Sequence, residues 1–124
     1  MLRAGVRELL ADEAGVEVVA EAGDGRTAVR LAAELTPDVA VMDLRLPDMS
    51  GIEAAGQIRG RSPNTKIIVM SAYADSSTAS SATAGGASGF VPKDAAFEEL
   101  GNAVRIVAAG GIYQSPSLSH ADAG

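Results

Sequence analysis

The chain has 124 residues, the size of one domain, since single domains commonly run to about 100–150. Apolar types at 47 % against 21 % charged are the proportions of a globular protein, so disorder throughout is excluded. The absence of cysteine rules out disulfides, thiolate metal sites and cysteine nucleophiles. Ten basic residues against sixteen acidic give a net charge of −6, which argues against nucleic-acid or membrane-surface binding by this chain. Apolar runs such as 67–70 are far too short to span a bilayer. Glu8, Asp12 and Glu13 follow Met1 too closely for the apolar region of a signal peptide, so the cytoplasm is the expected compartment. A single histidine makes zinc and haem sites unexpected, and His120, in a small polar tail, reads as a solvated bystander.

Two periodicities alternate along the chain. Leu2, Val6, Leu9 and Leu10 recur at helical spacing and predict a first helix that Gly15 ends. Residues 16–20 read as a strand of largely β-branched type, followed by a turn at 23–25 in which Asp24 can cap a helix. Ala28, Leu31, Ala32 and Leu35 form that helix, stopped by Thr36-Pro37. Residues 39–42 are continuously apolar, as suits a parallel strand buried on both faces, and Asp43 follows at once. After a loop come a helix carrying Ile52, Ala55 and Ile58, a turn at 62–64, and a second buried strand at 66–70 that ends in Ser71. Residues 74–86, almost all Ala, Ser, Thr and Gly, read either as a linker or as a weak helix built on Ala79 and Ala82. Each Ala methyl buried in 76–84 contributes well under about 1 kcal/mol, so residues 76–84 are expected to be the most mobile element between the chain ends. Residues 88–91 form a short edge strand ending at Pro92-Lys93. Asp94 then caps a final helix through Phe97, Leu100, Val104 and Val107, which Gly110-Gly111 stops.

Strands alternating with helices imply an α/β fold with a parallel sheet covered on both faces. Ligands in such sheets bind beyond the carboxyl ends of the strands. Those ends carry Asp43, Ser71 and, one residue past a proline, Lys93. Each alone has a bland reading, as a turn carboxylate, a strand-end hydroxyl or a solvated charge. Together they suit an acyl-phosphate site, in which a carboxylate accepts a phosphoryl group, a hydroxyl bonds one of its oxygens and an ammonium offsets its charge.

At these residues the sequence resembles the receiver domain of two-component response regulators. The likeness is to the LuxR/FixJ-type branch, which joins a receiver to a C-terminal helix-turn-helix domain. The segments 37–53, 68–73, 86–94 and 108–113 carry the resemblance, the strand–Asp–loop–Pro–Gly stretch most specifically. It implies a flavodoxin-like (CheY-like) doubly wound parallel sheet and no enzyme activity. It also implies phosphorelay signal transduction, with Asp43 as the phosphoacceptor for a sensor histidine kinase. Arg45 matches the position whose backbone carbonyl ligates Mg2+, together with Asp43. Ser71 and Phe90 match the switch residues, Ala72 the small residue that leaves the phosphoryl group room, and Lys93 its lysine contact. Phe90 equally reads as an edge-strand core aromatic, and the Arg45 side chain is expected to face solvent.

Two departures from the family pattern shape the expectations. The family's first strand, which ends in an acidic pair, is expected to be missing, with residues 2–10 taking the place of the first helix. The helix-turn-helix domain is likewise absent, giving a receiver-like domain at 1–112 and a linker-like flexible tail at 113–124. Loss of the central strand leaves the sheet to close directly, to borrow a strand from a second molecule, or to stay partly unfolded. Self-association through the last helices or by strand borrowing stays open. Loss of the acidic pair makes Mg2+ binding weak, with Asp48 the nearest substitute but facing solvent, and Asp12 and Glu13 at the opposite end of the sheet. The alternative function is a phosphorylation-independent interaction module, or an inactive fragment, that keeps the receiver shape.

Overall fold

The computed structural model describes residues 1–4, 17–72 and 76–115, and at residues 76, 96 and 97 the backbone alone. Among them stand the strands β1 (Leu2–Ala4), β2 (Ala20–Ala22), β3 (Val39–Asp43), β4 (Lys66–Ser71), β5 (Gly89–Pro92) and β6 (Tyr113–Gln114). The helices are α1 (Gly25–Leu35), α2 (Gly51–Arg61), α3 (Ser76–Ala84) and α4 (Ala96–Ala108). One six-stranded sheet runs in the order β2-β1-β3-β4-β5-β6, and every adjacent pair is parallel.

The expected absence of a central strand is corrected here. Leu2–Ala4 fills the place between β2 and β3, with Leu2 opposite Ala20 and Ala40, and Ala4 opposite Ala22 and Met42. The helix expected from residue 2 therefore gives way to a strand at its start, while Val6, Leu9, Leu10 and Gly15 lie outside the described residues. A central slot in a parallel sheet offers two ladders of unpaired N–H and C=O groups, a stronger demand than the helical spacing of a few leucines. The contact extends to the terminus itself, whose ammonium donates to the Glu17 carbonyl at 2.6 Å while the Val19 N–H donates to the Met1 carbonyl at 2.8 Å. Because β1 sets the register, β2 starts at Ala20 and ends at Ala22, later than the expected 16–20.

Two apolar layers flank the sheet, as period-two alternation requires. Leu2, Ala40, Met42, Ile67, Val69 and Phe90 face α1, α2 and α3. Val39, Val41, Ile68, Met70 and Val91 face α4 through Leu100, Ala103, Val104 and Val107. Asp24 caps α1 by accepting from Thr27 N at 2.8 Å, as expected. Residues 76–84 take the helical reading, with Ala79 and Ala82 buried. Asp94 does not cap α4: a 3-10 turn at Lys93–Ala95 leads into that helix, and its cap position, Ala95, makes no side-chain bond. Residues 113–115, expected in the tail, belong to the packed domain. Tyr113 and Gln114 pair with Gly89 and Phe90, so β5 is not the sheet edge, and Ser115 is buried. Tyr113 is held to α4 by donating its hydroxyl to Glu99 at 2.7 Å, and burial together with that carboxylate pushes its pKa up to about 12.

One residue of β1 fits poorly. Arg3 lies beside Val41 on the α4 face, 7 % exposed, paired with the exposed Glu21 while its Nε and Nη1 are buried without a hydrogen-bond partner. Replacing a buried ion pair by apolar side chains is often neutral or stabilising by about 1–4 kcal/mol, whereas removing one partner strands the other charge. Arg3→Leu should therefore raise the thermal midpoint and Glu21→Ala should lower it, the latter modestly because Glu21 is screened by solvent. Circular dichroism melts check this, and an Arg3→Leu chain that melts below Glu21→Ala would contradict it.

Candidate functional site

Three strand ends build the site. Asp43 is the last residue of β3, level with Met70 of β4, which is itself level with Val91 of β5. Ser71 and Pro92 stand one step further along, and Lys93 one step beyond them. Their stagger lets the Lys93 side chain reach back, and its Nζ lies 3.0 Å from Asp43 Oδ1. Asp43 is 5 % exposed and Ser71 2 %, while the lysine remains half exposed. Leu44, Arg45, Met70, Ser71, Ala72 and Lys93 line an open depression of about 160 Å³ over this rim.

Burial pushes the Asp43 carboxyl above its ordinary value, and the hydrogen-bonding and charge of Lys93 work against that rise. Oδ1 is buried, and the Lys93 ammonium 3.0 Å away is its ion-pair partner.

The loop between β3 and α2 completes the rim. Leu46 N donates to Met49 O at 3.1 Å and Gly51 N to Leu44 O at 2.6 Å, flanking an antiparallel bridge between Arg45 and Ser50. In that pattern the bridged residues do not bond each other, so the Arg45 carbonyl is left out of the ladder. Its side chain is exposed, as expected. Gly51 is required at the loop's base, because a Cβ there would lie 2.3 Å from the Asp43 carbonyl oxygen.

Of the expected site residues, Asp43, Ser71, Ala72, Lys93 and the Arg45 backbone come together at one rim. Phe90 does not join them. It is buried on the opposite side of β5 from Val91, and with α3 and β6 it lines a separate groove of about 530 Å³. Asp48 is exposed, but its carboxylate is not free: Oδ1 accepts from Gly25 N at 2.7 Å and Oδ2 from Arg26 N at 2.9 Å. Those two bonds hold its carboxyl below the usual range. Loop position alone does not reveal this contact, since the partner lies 23 residues back in sequence. Asp12, Glu13 and His120 lie outside the described residues, and among the described residues no cluster of three metal-ligating acids or histidines occurs.

A parallel sheet in this strand order, with Asp43, Ser71 and Lys93 at its carboxyl rim, is a doubly wound α/β domain. Residues 1–105 match the family model of the response regulator receiver domain, and the chain belongs to that family. It is 38 % identical over 120 residues to the transcriptional regulatory protein DegU of Brevibacillus brevis, covering 97 % of this chain and 51 % of that protein. It is 34 % identical to the nitrate/nitrite response regulator protein NarL of Escherichia coli, covering 96 % of this chain and 55 % of that one. The chain thus spans about half the length of the curated relatives it matches. The crystal structure of a LuxR-family response regulator from Aurantimonas sp. SI85-9A1 superposes with a TM-score of 0.89 at 34 % identity, covering 98 % of this chain and 93 % of that one. The receiver domain of the putative response regulator NarL from Mycobacterium tuberculosis gives 0.80 at 32 %, covering 88 % and 94 %. Receiver domains are generally non-enzymatic signalling proteins and generally bind Mg2+ at their acidic pocket. Among the described residues, no helix is long and apolar enough to cross a membrane.

The raised Asp43 carboxyl has a consequence for stability. A carboxyl whose pKa is higher folded than unfolded is a cost when ionised. That cost is present in full above the folded pKa and disappears as the pH falls through it to the ordinary carboxylate value. In magnesium-free buffer, Asp43→Asn should therefore melt above the wild type at neutral pH, and the gap should close as the pH is lowered through that window. A gap that is absent at neutral pH, or that widens in acid, would contradict it.

Proposed function

We propose that this chain accepts a phosphoryl group on Asp43 from a sensor histidine kinase and uses it to reset a protein-interaction face. A single observation carries the reading: a buried carboxylate ion-paired with a half-exposed lysine 3.0 Å away, at the open end of a parallel sheet. In the transfer, an Asp43 oxygen forms a bond to phosphorus while the bond from phosphorus to the kinase histidine nitrogen breaks. The electron pair leaves with the imidazole, which takes up a proton if it needs one. The Lys93 ammonium offsets the charge of the new acyl phosphate, and the Ser71 hydroxyl donates to one of its oxygens. Ala72, small and exposed, leaves room beside it.

The donor set fits Mg2+ thinly. Among the described residues, one carboxylate, Asp43, and one carbonyl, that of Arg45, stand at the rim, and Mg2+ is commonly bound through one or two carboxylates with water and phosphate completing its shell. Bound there, Mg2+ would neutralise charge on the transferring oxygens. Weak binding is therefore expected.

The added charge and acceptor oxygens would bias Ser71 and, through β4 and β5, the buried Phe90 beside the groove against α3. Self-association through this side of the sheet or the last helix is a compatible output, and the cytoplasm is the fitting compartment. Retention of Asp43, Ser71 and Lys93 at one rim supports phosphorylation over a phosphorylation-independent module.

Incubation with acetyl phosphate and Mg2+, followed by phosphate-affinity electrophoresis and intact mass, tests the acceptor. One phosphoryl group is expected on the wild type, none on Asp43→Asn, and a slower rise on Lys93→Ala. Equal shifts in wild type and Asp43→Asn would overturn the reading.

A further inference from the structure

We propose that Asp48 is a positioning residue for phosphoryl acceptance, a strap that ties the loop beyond Asp43 to the N-terminus of α1. The inference rests on the acceptor reading above and adds to it the element that holds the loop still.

Residues 44–50 are fixed at their base by the sheet. Leu44 N donates to Met70 O at 2.7 Å, Gly51 N closes onto Leu44 O, and Gly51 packs directly against the Asp43 backbone. Beyond that base Leu46 is buried in the core and its N–H donates to Met49 O, which leaves residues 47 and 48 as the exposed tip. The tip is held from another element, where the Asp48 carboxylate takes the first two N–H groups of α1, Gly25 and Arg26. Asp24 independently takes the next, Thr27, so two acidic side chains satisfy three orphan donors at the positive end of one helix dipole.

The packing agrees with the hydrogen bonds. Gly25 is buried, and a Cβ there would lie 2.4 Å from Met49 Cγ and 3.3 Å from Asp48 Oδ1. Helix and loop tip have therefore closed on each other until a Cβ at residue 25 would have to displace the Met49 side chain.

Between base and tip sits Arg45, whose carbonyl the bridge leaves turned out of the ladder. A donor carried on a loop contributes only as far as the loop is preorganised, and misplacement by about 1 Å can cost about 100-fold in rate. Among the described residues the rim offers one carboxylate and one carbonyl, so a shift of the loop moves half of that donor set. Asp48 touches neither the phosphoryl group nor the metal; it acts through the position of Arg45.

The test compares the full chain with Asp48→Ala, Asp48→Asn and Gly25→Ala, at a temperature where circular dichroism shows all four folded. Phosphorylation by acetyl phosphate is followed across a Mg2+ titration, and amide exchange is followed at Leu46 and Gly51. Asp48→Ala should lower the rate at limiting Mg2+ by about 10-fold and raise the Mg2+ needed for half-maximal rate. It should also speed exchange at Leu46 and Gly51 while leaving β4 unchanged. Asp48→Asn keeps an acceptor oxygen and should recover most of the rate, whereas Gly25→Ala, which presses the same contact from the helix side, should resemble Asp48→Ala. Wild-type rate and Mg2+ dependence in Asp48→Ala, or unchanged exchange at both loop amides, would overturn the strap. If Asp43→Asn takes up phosphate as well as the wild type, the acceptor reading falls instead, and the exchange data still decide whether the strap exists.

Discussion

The whole arrangement hangs on a three-residue strand. Leu2–Ala4 is bonded to β2 on one side and β3 on the other, and β2 reaches the rest of the sheet only through it. Without that central pairing, the backbone of β3 would expose one ladder next to the acceptor itself. Leu2 and Ala4 meet the demand well, being fully buried against α1 and its neighbours. Arg3 meets it badly, since alternation turns its guanidinium into the apolar α4 face, where among the described residues only Glu21 answers its charge. The strand holds its place through backbone pairing and the two flanking apolar residues, at the expense of a poorly solvated cation between them.

From that sheet the chemistry of the rim follows. Parallel strands end together, and their last side chains converge without any loop having to fold inward. Burial makes the Asp43 charge costly and Lys93 offsets part of the cost. Both effects suit the proposed exchange of a bare carboxylate for a more highly charged acyl phosphate. The lysine keeps half its surface in water, so its reach can adjust as that charge grows. The β3–α2 loop then decides how well the rim is held, and it draws its support from α1 rather than from its own sequence neighbours.

Much of this was legible in the residues. The unbroken apolar runs of β3 and β4 announced strands buried on both faces, and the polar residue ending each announced the rim. Asp24, Ala79 and Ala82 took the roles their positions suggested. The failures share a cause, which is that a partner distant in sequence decided the local outcome. Residues 2–4 carry a helical spacing but were claimed by two waiting strand edges. Asp48 read as a solvated loop acid because its two donors lie on a helix that ends before β3 begins. Tyr113 and Gln114 looked like tail, yet the free edge of β5 and the Glu99 carboxylate hold them in the sheet. Asp94 was passed over as a cap because a 3-10 turn set the chain's entry into α4.

The most direct test of the rim as a phosphoryl site is a heteronuclear NMR titration of the chain with Mg2+ and beryllofluoride, a tetrahedral mimic of the phosphoryl group. The geometry predicts amide shifts concentrated at Asp43, Leu44, Arg45, Ser71, Ala72 and Lys93, lost in Asp43→Asn, with a weaker echo at Phe90. Shifts that persist in Asp43→Asn, or that gather away from the ends of β3, β4 and β5, would contradict it.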